Sequence, residues 1–385
     1  MNLRVNDPPR RRVSPALIAC GGLLVLASMF LPTVLQKMPD FEVYWNAGAR
    51  VMSAAPLYRP EDGHFQHKYL PIFAGLVAPL ALLPLTKAKI IWFYGSVAVV
   101  VGLLAISLSL LPHRRLPPHV LVLCTVLGML KFYAHELNLG QCNALMALCV
   151  VVGFACLSRG RPVLAGLVLA MAVVIKPYPV IFLPYLLLKR RFVTFGVFLA
   201  LVILSLLLPA VIYGAEGNRL LLESWVQTLS QSTRANLLNQ DNVSIWAMYA
   251  RWFGVGALAS GLALATLLAI AAGVLVLLQL GSERPGVEYL EMALLLMLIP
   301  LVSPQGWDYQ LLMATPAVML LVNEFRGLPL AMRLVSGAAM ATMALSVFDI
   351  MGRRAYAAFM SVSAITFCAL VLLGALACLR VRRLA

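Results

Sequence analysis

VGALASGLALATLLAIAAGVLVLLQL, residues 255–280, contains no charged side chain. Wound as an α-helix it is about 39 Å long, more than the ~30 Å hydrocarbon layer of a bilayer. A surface helix of a soluble protein would show a polar stripe every turn, and this stretch has none. It reads as a transmembrane helix. Similar apolar runs recur at about 16–34, 88–111, 119–135, 142–158, 162–176, 178–188, 192–213, 288–303, 308–323, 331–349 and 357–379. The 178–188 run is too short to span unless it is extended or re-entrant. A further run at 70–85 is short and carries Pro71, Pro79 and Pro84, which marks it as re-entrant or interfacial. The expectation is an all-α polytopic integral membrane protein of about 12 transmembrane helices, forming a single membrane-embedded domain over 1–385.

Composition supports this. The 385 residues are 62% hydrophobic and 12% charged, where soluble domains carry about 25% charge. A membrane β-barrel would instead show short alternating segments. The net charge of +15 is read as topological, because Lys and Arg are retained on the cytoplasmic side; no basic patch interleaved with aromatics suggests a nucleic-acid partner. The seven cysteines lie mostly inside apolar runs, with no CxxC spacing, so neither a structural disulfide nor a zinc site is expected.

Arg10-Arg11-Arg12, Arg114-Arg115, Arg159 with Arg161, Lys189-Arg190-Arg191, Arg326 with Arg333, and Arg380-Arg382-Arg383 assign the cytoplasmic side. Both termini then fall there, as in a bacterial inner membrane. The polar stretches 36–69 and 214–250 fall together on the outer face. This parity holds only if 70–85 does not cross.

Polar clusters at that outer face are the candidates for chemistry, since ionisable groups at a membrane edge are costly. Asp40 and Glu42 lie just after the first span, with Tyr44 close by; Asp40 could cap a helix, but two carboxylates on an aromatic-rich interfacial helix favour a site. Lys68 and Tyr69 follow His64 and His67, a pair without a clear third metal ligand. Gln141 and Asn143 suit a hydroxyl-rich ligand. Lys176 sits at a proline-broken helix end and suits a phosphate. Asn242, Ser244 and Arg251 bring amide, hydroxyl and guanidinium groups. Trp307 and Asp308 close the series. No G-x-x-x-x-G-K-[ST] or dinucleotide fingerprint is present, so a substrate already activated and delivered by the membrane fits better than a nucleotide.

With these motifs in order, the chain resembles the family 87 glycosyltransferases of the membrane-embedded GT-C class. These include polyprenol-phosphate-mannose-dependent α-1,2-mannosyltransferases. The resemblance is carried by Asp40-Phe41 with Tyr44, Pro56-Leu57-Tyr58, Tyr69 with Pro71, Gly140-Gln141 with Asn143, and Arg161 with Ala165-Gly166 leading to Lys176 and Pro179. Asn242 with Ser244, and Ser303-Pro304 with Trp307, complete it. It implies a GT-C-like fold and inverting transfer of a hexose, mannose above others, from a polyprenyl-phosphate donor to a lipid or glycan acceptor. It also implies Asp40 as general base. From the residue spacing no metal is expected, and no cofactor is called for beyond the donor substrate. Lys176 and Arg251 are the residues expected to hold the leaving phosphate. There is one departure: the resemblance implies a histidine after Trp307, and this chain has Asp308. The competing reading is a transporter or lipid flippase, against which stand the absence of an internal repeat and the gathering of polar residues at one face.

Overall fold

The computed structural model describes residues 27–279 and 286–382. Arg10–Arg12, Cys20, the start of the first expected span and Arg383 lie outside the described residues. The regular secondary structure of the described residues is all helical, with no strand. Helix α1 covers 27–35. It is followed by α2 Pro39–Met52, α3 Pro71–Ala81, α4 Leu85–Leu110, α5 Pro118–Leu139, α6 Asn143–Ser158 and α7 Pro162–Ile175. Then come α8 Phe182–Leu188, α9 Phe192–Leu207, α10 Ala210–Asn236, α11 Ile245–Phe253 and α12 Ala257–Gln279. The chain continues with α13 Val287–Val302, α14 Thr315–Glu324, α15 Leu330–Leu345, α16 Phe348–Met351, α17 Arg353–Ser361 and α18 Ala364–Arg382.

Proline sets many of these starts. Pro39, Pro71, Pro118 and Pro162 each occupy a first-turn position, where the missing N–H costs nothing and φ is already helical. Four helices are long and apolar enough to cross a membrane: α4, α5, α12 and α18. α9 and α10 would count as a fifth if taken together, but they bend by 85° across Leu208-Pro209. The span count is therefore lower than about twelve by this measure. Proline and polar residues cut the remaining apolar runs into shorter helices. One of them, α13, is buried along nearly its whole length, so its apolar surface meets protein rather than lipid.

The basic segments converge at one end of the bundle. Arg115 lies 2.9 Å from Glu324, and Asn323 donates to the His113 carbonyl at 3.1 Å. Arg382 donates to the Gly327 carbonyl. Glu291 of α13 accepts from Lys189 at 2.8 Å and from Arg380 at 3.3 Å, and Arg191 pairs with Glu288. Thr194 reaches the Pro162 carbonyl at 3.0 Å, which adds the 159–162 turn. A buried carboxylate such as Glu291 is tolerated because it is paired.

The short helix α3 begins and ends at the opposite end. Its 11 residues rise only about 16 Å, half a bilayer. After it, Trp45 of α2 donates to the Leu83 carbonyl at 3.1 Å, and Lys89 of α4 reaches the Leu35 and Lys37 carbonyls. The chain thus returns to the face it left, and α4 carries it to the Arg115 end. Gly48 lets the two backbones close, since a Cβ there would stand 3.1 Å from the Ala78 backbone.

The polar stretches 36–69 and 214–250 are largely helical rather than loops. Within α10, Gly214 breaks the helix at φ 73°. The rest lies across the 55–68 segment: Tyr213 donates to the Ala55 carbonyl at 3.0 Å and Trp225 to that of Lys68 at 3.1 Å. On its open side Arg219 pairs with Glu216 and Glu223.

Gly140 ends α5 in the left-handed region at φ 69°, and a Cβ there would lie 2.7 Å from that of Phe41. Both the conformation and the close approach require glycine. Gly140→Ala is expected to destabilise the protein by about 1–3 kcal/mol, read as a lower unfolding temperature in detergent. Gly273→Ala, where a Cβ meets nothing within 4 Å, should not lower it.

Candidate active site

At the end opposite the basic cluster lies a cavity of about 450 Å³. Its wall draws on α2, the 64–69 segment, the α5–α6 turn, the end of α7, α10 and the 303–310 segment. Five of the six sequence clusters contribute lining residues, the 242–251 group being the exception, and α10 joins them, so residues far apart in the chain share one space.

Gln141 organises the floor. Its Nε2 donates to Asp40 Oδ2 at 2.8 Å. Its Oε1 accepts from Lys176 Nζ at 2.9 Å, from the Tyr44 hydroxyl at 3.1 Å and from the Tyr69 hydroxyl at 3.2 Å. With donors on one side and a carboxylate on the other, the amide has one sensible orientation. Lys176 Nζ also donates to Asn143 Oδ1 at 2.6 Å and lies 5.4 Å from the centre of the Tyr69 ring. Asn143 donates in turn to Glu136 Oε2 at 2.8 Å, and Glu136 Oε1 takes the Ala144 N–H.

Lys176 is 5% exposed, and no carboxylate comes within 4 Å of it among the described residues. A buried ammonium held only by amide oxygens keeps most of its field for an anion entering the cavity.

Asp40 does not cap its helix; no side-chain cap bond is made at the start of α2. Burial pushes its carboxyl above the usual range. The Gln141 hydrogen bond, then Lys176, Lys68 and His64, pull the other way. The Lys68 ammonium is pulled down by burial and held up by Asp40. His67 is pushed down to about 3 by burial among Tyr58, Tyr69 and Phe73. It is therefore a neutral packing residue, while His64 lines the cavity. No group of three metal-ligating side chains occurs among the described residues.

The other residues singled out from the sequence divide clearly. Lys68, Tyr69 and Trp307 line the cavity with Asp40, Gln141 and Lys176. Tyr44 and Asn143 stand behind them, each bonded to the Gln141 amide. Glu42 points away and pairs with Lys89 at 2.6 Å.

The 242–251 group is a latch rather than a ligand site. Arg251 donates to the carbonyls of Asn239, Gln240 and Asn242. Asn242 Nδ2 reaches the Pro304 carbonyl at 2.8 Å, and Ser244 caps α11 through the Ala247 N–H at 3.0 Å. Together they fix the 239–244 turn against 303–308, so the expected phosphate role of Arg251 is not supported by its position.

Asp308 is fully buried and does not line the cavity. It lies 3.1 Å from Lys131 Nζ and 3.2 Å from His135 Nδ1. His135, which does line the cavity, was missed as a site residue, and its Nε2 remains available to a ligand. Lys131 and His135 are one helical turn apart in an apolar segment. Two such groups need a buried counter-charge, and that was the available signal. Tyr178, Tyr309 and Thr233 also enter the wall.

A cavity joining a carboxylate to an unneutralised ammonium suits proton removal beside departure of an anion. Residues 67–304 match the sequence model of glycosyltransferase family 87. The chain belongs to glycosyltransferase family 87. No curated protein and no solved structure matches it. The family match starts after Asp40 and stops before Trp307, and the fold brings those two residues to the cavity lined by matched ones. Membership places the chain among sugar-transferring enzymes and decides against the transporter reading.

Lys176→Met is expected to weaken binding of an anionic ligand such as a phosphate ester in the cavity by about tenfold or more, the worth of one charge-assisted hydrogen bond. Arg251→Met is expected to lower the unfolding temperature and leave that affinity within about twofold. Ligand titration and thermal unfolding of the purified variants check both.

Proposed function

We propose that this glycosyltransferase moves a hexose, mannose above others, from a polyprenyl-phosphate donor to a hydroxyl of a lipid or glycan acceptor, with inversion. The observation that carries the proposal is the Asp40–Gln141–Lys176 relay, which puts a base and a buried cation on one wall, one amide apart. In the reaction, an acceptor hydroxyl gives its proton to the Asp40 oxygen not held by Gln141. The hydroxyl oxygen bonds to the anomeric carbon as the bond from that carbon to the phosphate oxygen breaks. Polyprenyl phosphate leaves with the negative charge, which Lys176 and Lys68 meet and to which His135 can donate. No cofactor is drawn on. The test is incubation of the purified protein with labelled polyprenyl-phosphate sugars and a lipid extract, followed by analysis of the glycosylated product. Absence of transfer from every such donor would sink the donor assignment.

Asp40→Asn is expected to lose about 10²–10⁴-fold in turnover, the usual worth of general-base catalysis. Glu42→Gln, on another face of α2, should lose much less. Deeper loss in Glu42→Gln would identify the wrong carboxylate. Burial raises the Asp40 pKa, so the acid limb of kcat/KM should lie above the ordinary carboxylate range. Lys176→Met removes a charge that lowers that pKa and should move the limb higher still. The stability contributed by protonated Asp40 is complete below its unfolded pKa and is lost as pH rises through the higher folded one. At neutral pH its charge is therefore a cost, and Asp40→Asn should unfold at an equal or higher temperature.

The same proposal places the cavity on the outer face of a bacterial inner membrane and the basic end in the cytoplasm. In a cysteine-free background, a membrane-impermeant thiol reagent applied to intact cells should label Glu61→Cys and spare Arg190→Cys. The reverse pattern would invert the topology.

A further inference from the structure

Beside the main cavity lies a second recess of about 250 Å³. The two share Pro39, Val43 and Phe65 in their walls, so they are separated by little more than the first turn of α2. Along that helix Pro39, Val43, Asn46 and Arg50 follow one another at four, three and four residues, which puts them on a single stripe. The stripe runs about 16 Å from the cavity mouth. Asp40 stands at its cavity end.

The two spaces differ in charge. The main cavity holds Lys176 and Lys68, neither with a carboxylate within 4 Å among the described residues, although Asp40 shares the space. In the recess each charge is already matched. Arg50 grips Asp62 with both arms, at 2.5 and 2.8 Å, and Glu42 takes Lys89 at 2.6 Å. Asn46 is exposed between the two pairs. A phosphate entering here would find no unspent cation. A hydroxyl-rich group would find carboxylate oxygens to accept its hydrogens and amide and guanidinium hydrogens to donate to its oxygens.

We propose that this recess is the acceptor subsite, and that it takes an uncharged, hydroxyl-rich group such as a neutral sugar residue, presenting one hydroxyl to Asp40. The inference rests on the glycosyltransferase reading above and assigns the acceptor class to it. Donor phosphate and acceptor sugar then approach Asp40 from opposite sides of the α2 first turn. That is the geometry an inverting displacement needs if neither substrate is to block the other.

The test uses full-length protein in lipid nanodiscs, titrated with two probes: a neutral dihexosyl-diacylglycerol and polyprenyl phosphate. Asn46→Trp fills the recess from an exposed position and should weaken the dihexosyl lipid at least tenfold while polyprenyl phosphate stays within twofold. Asn46→Leu removes the amide without filling the space and should weaken the dihexosyl lipid about threefold. An unchanged dihexosyl affinity in Asn46→Trp, equal loss of both probes, or no dihexosyl binding by the wild type would overturn the acceptor subsite. Failure of polyprenyl phosphate to bind the wild type would instead overturn the donor reading.

Discussion

The site depends on one side-chain amide. Gln141 stands between Asp40 and Lys176 and binds both. Were the ammonium to meet the carboxylate directly, the two would neutralise each other. The carboxylate would be acidified and the ammonium's field spent on it. The amide divides them: its N–H₂ side faces the carboxylate and its oxygen faces the ammonium, so each keeps its charge and a fixed place. The orientation is enforced by the Tyr44 and Tyr69 hydroxyls on the oxygen side. It is enforced again by Gly140, whose left-handed turn delivers Gln141 to the floor and allows Phe41 to pack against it. Burial of this network raises the cost of any unmade bond, and that cost gives the arrangement its rigidity.

The same rule, that polar groups in an apolar body must be satisfied internally, explains the polarity of the whole molecule. α6 and α7 run between a polar floor at Asn143 and Lys176 and a basic turn at 159–161. α13 runs from Glu288 and Glu291 to Ser303. Each of these helices is a short rod with a functional end and an anchoring end. At the anchoring end carboxylates consume the cations; at the site end amides hold Lys176 and leave its charge unmatched. Static pairing thus fixes the bundle, and incomplete pairing equips the cavity.

Much of this was legible in the sequence. The apolar runs, the proline starts and the segregation of Lys and Arg follow from residue type and spacing alone, and they place six polar clusters at one end. The odd behaviour of 70–85 was also legible, from three prolines in a short run. The span count was not, because hydropathy does not say whether an apolar helix faces lipid or protein, and α13 faces protein. Nor was α10, whose buried face is built from Asn218, Leu221, Thr228, Ser232 and Asn236. That pattern is helical in period but too polar to register as a packing face. Residue type also misled at Asn242, Ser244 and Arg251. A guanidinium beside amides reads as a ligand site, yet backbone carbonyls of a tight turn offer it the same chemistry.

Asp308 shows how the departure from the family's expected pattern is accommodated. A carboxylate after Trp307, fully buried, would be prohibitive alone. Here α5 supplies Lys131 and His135 from successive turns of one face, and the carboxylate lies within reach of both. The imidazole that borders the cavity therefore comes from α5 and not from the segment after Trp307. A carboxylate at Nδ1 fixes the ring's tautomer and favours a proton on it. The cavity thus receives a histidine whose orientation is set from behind, while Asp308 stays hidden from substrate. As with Asp40, which Gln141 holds by one hydrogen bond, a cavity residue is set in place by a side-chain partner, although Gln141 also lines the cavity and Asp308 does not.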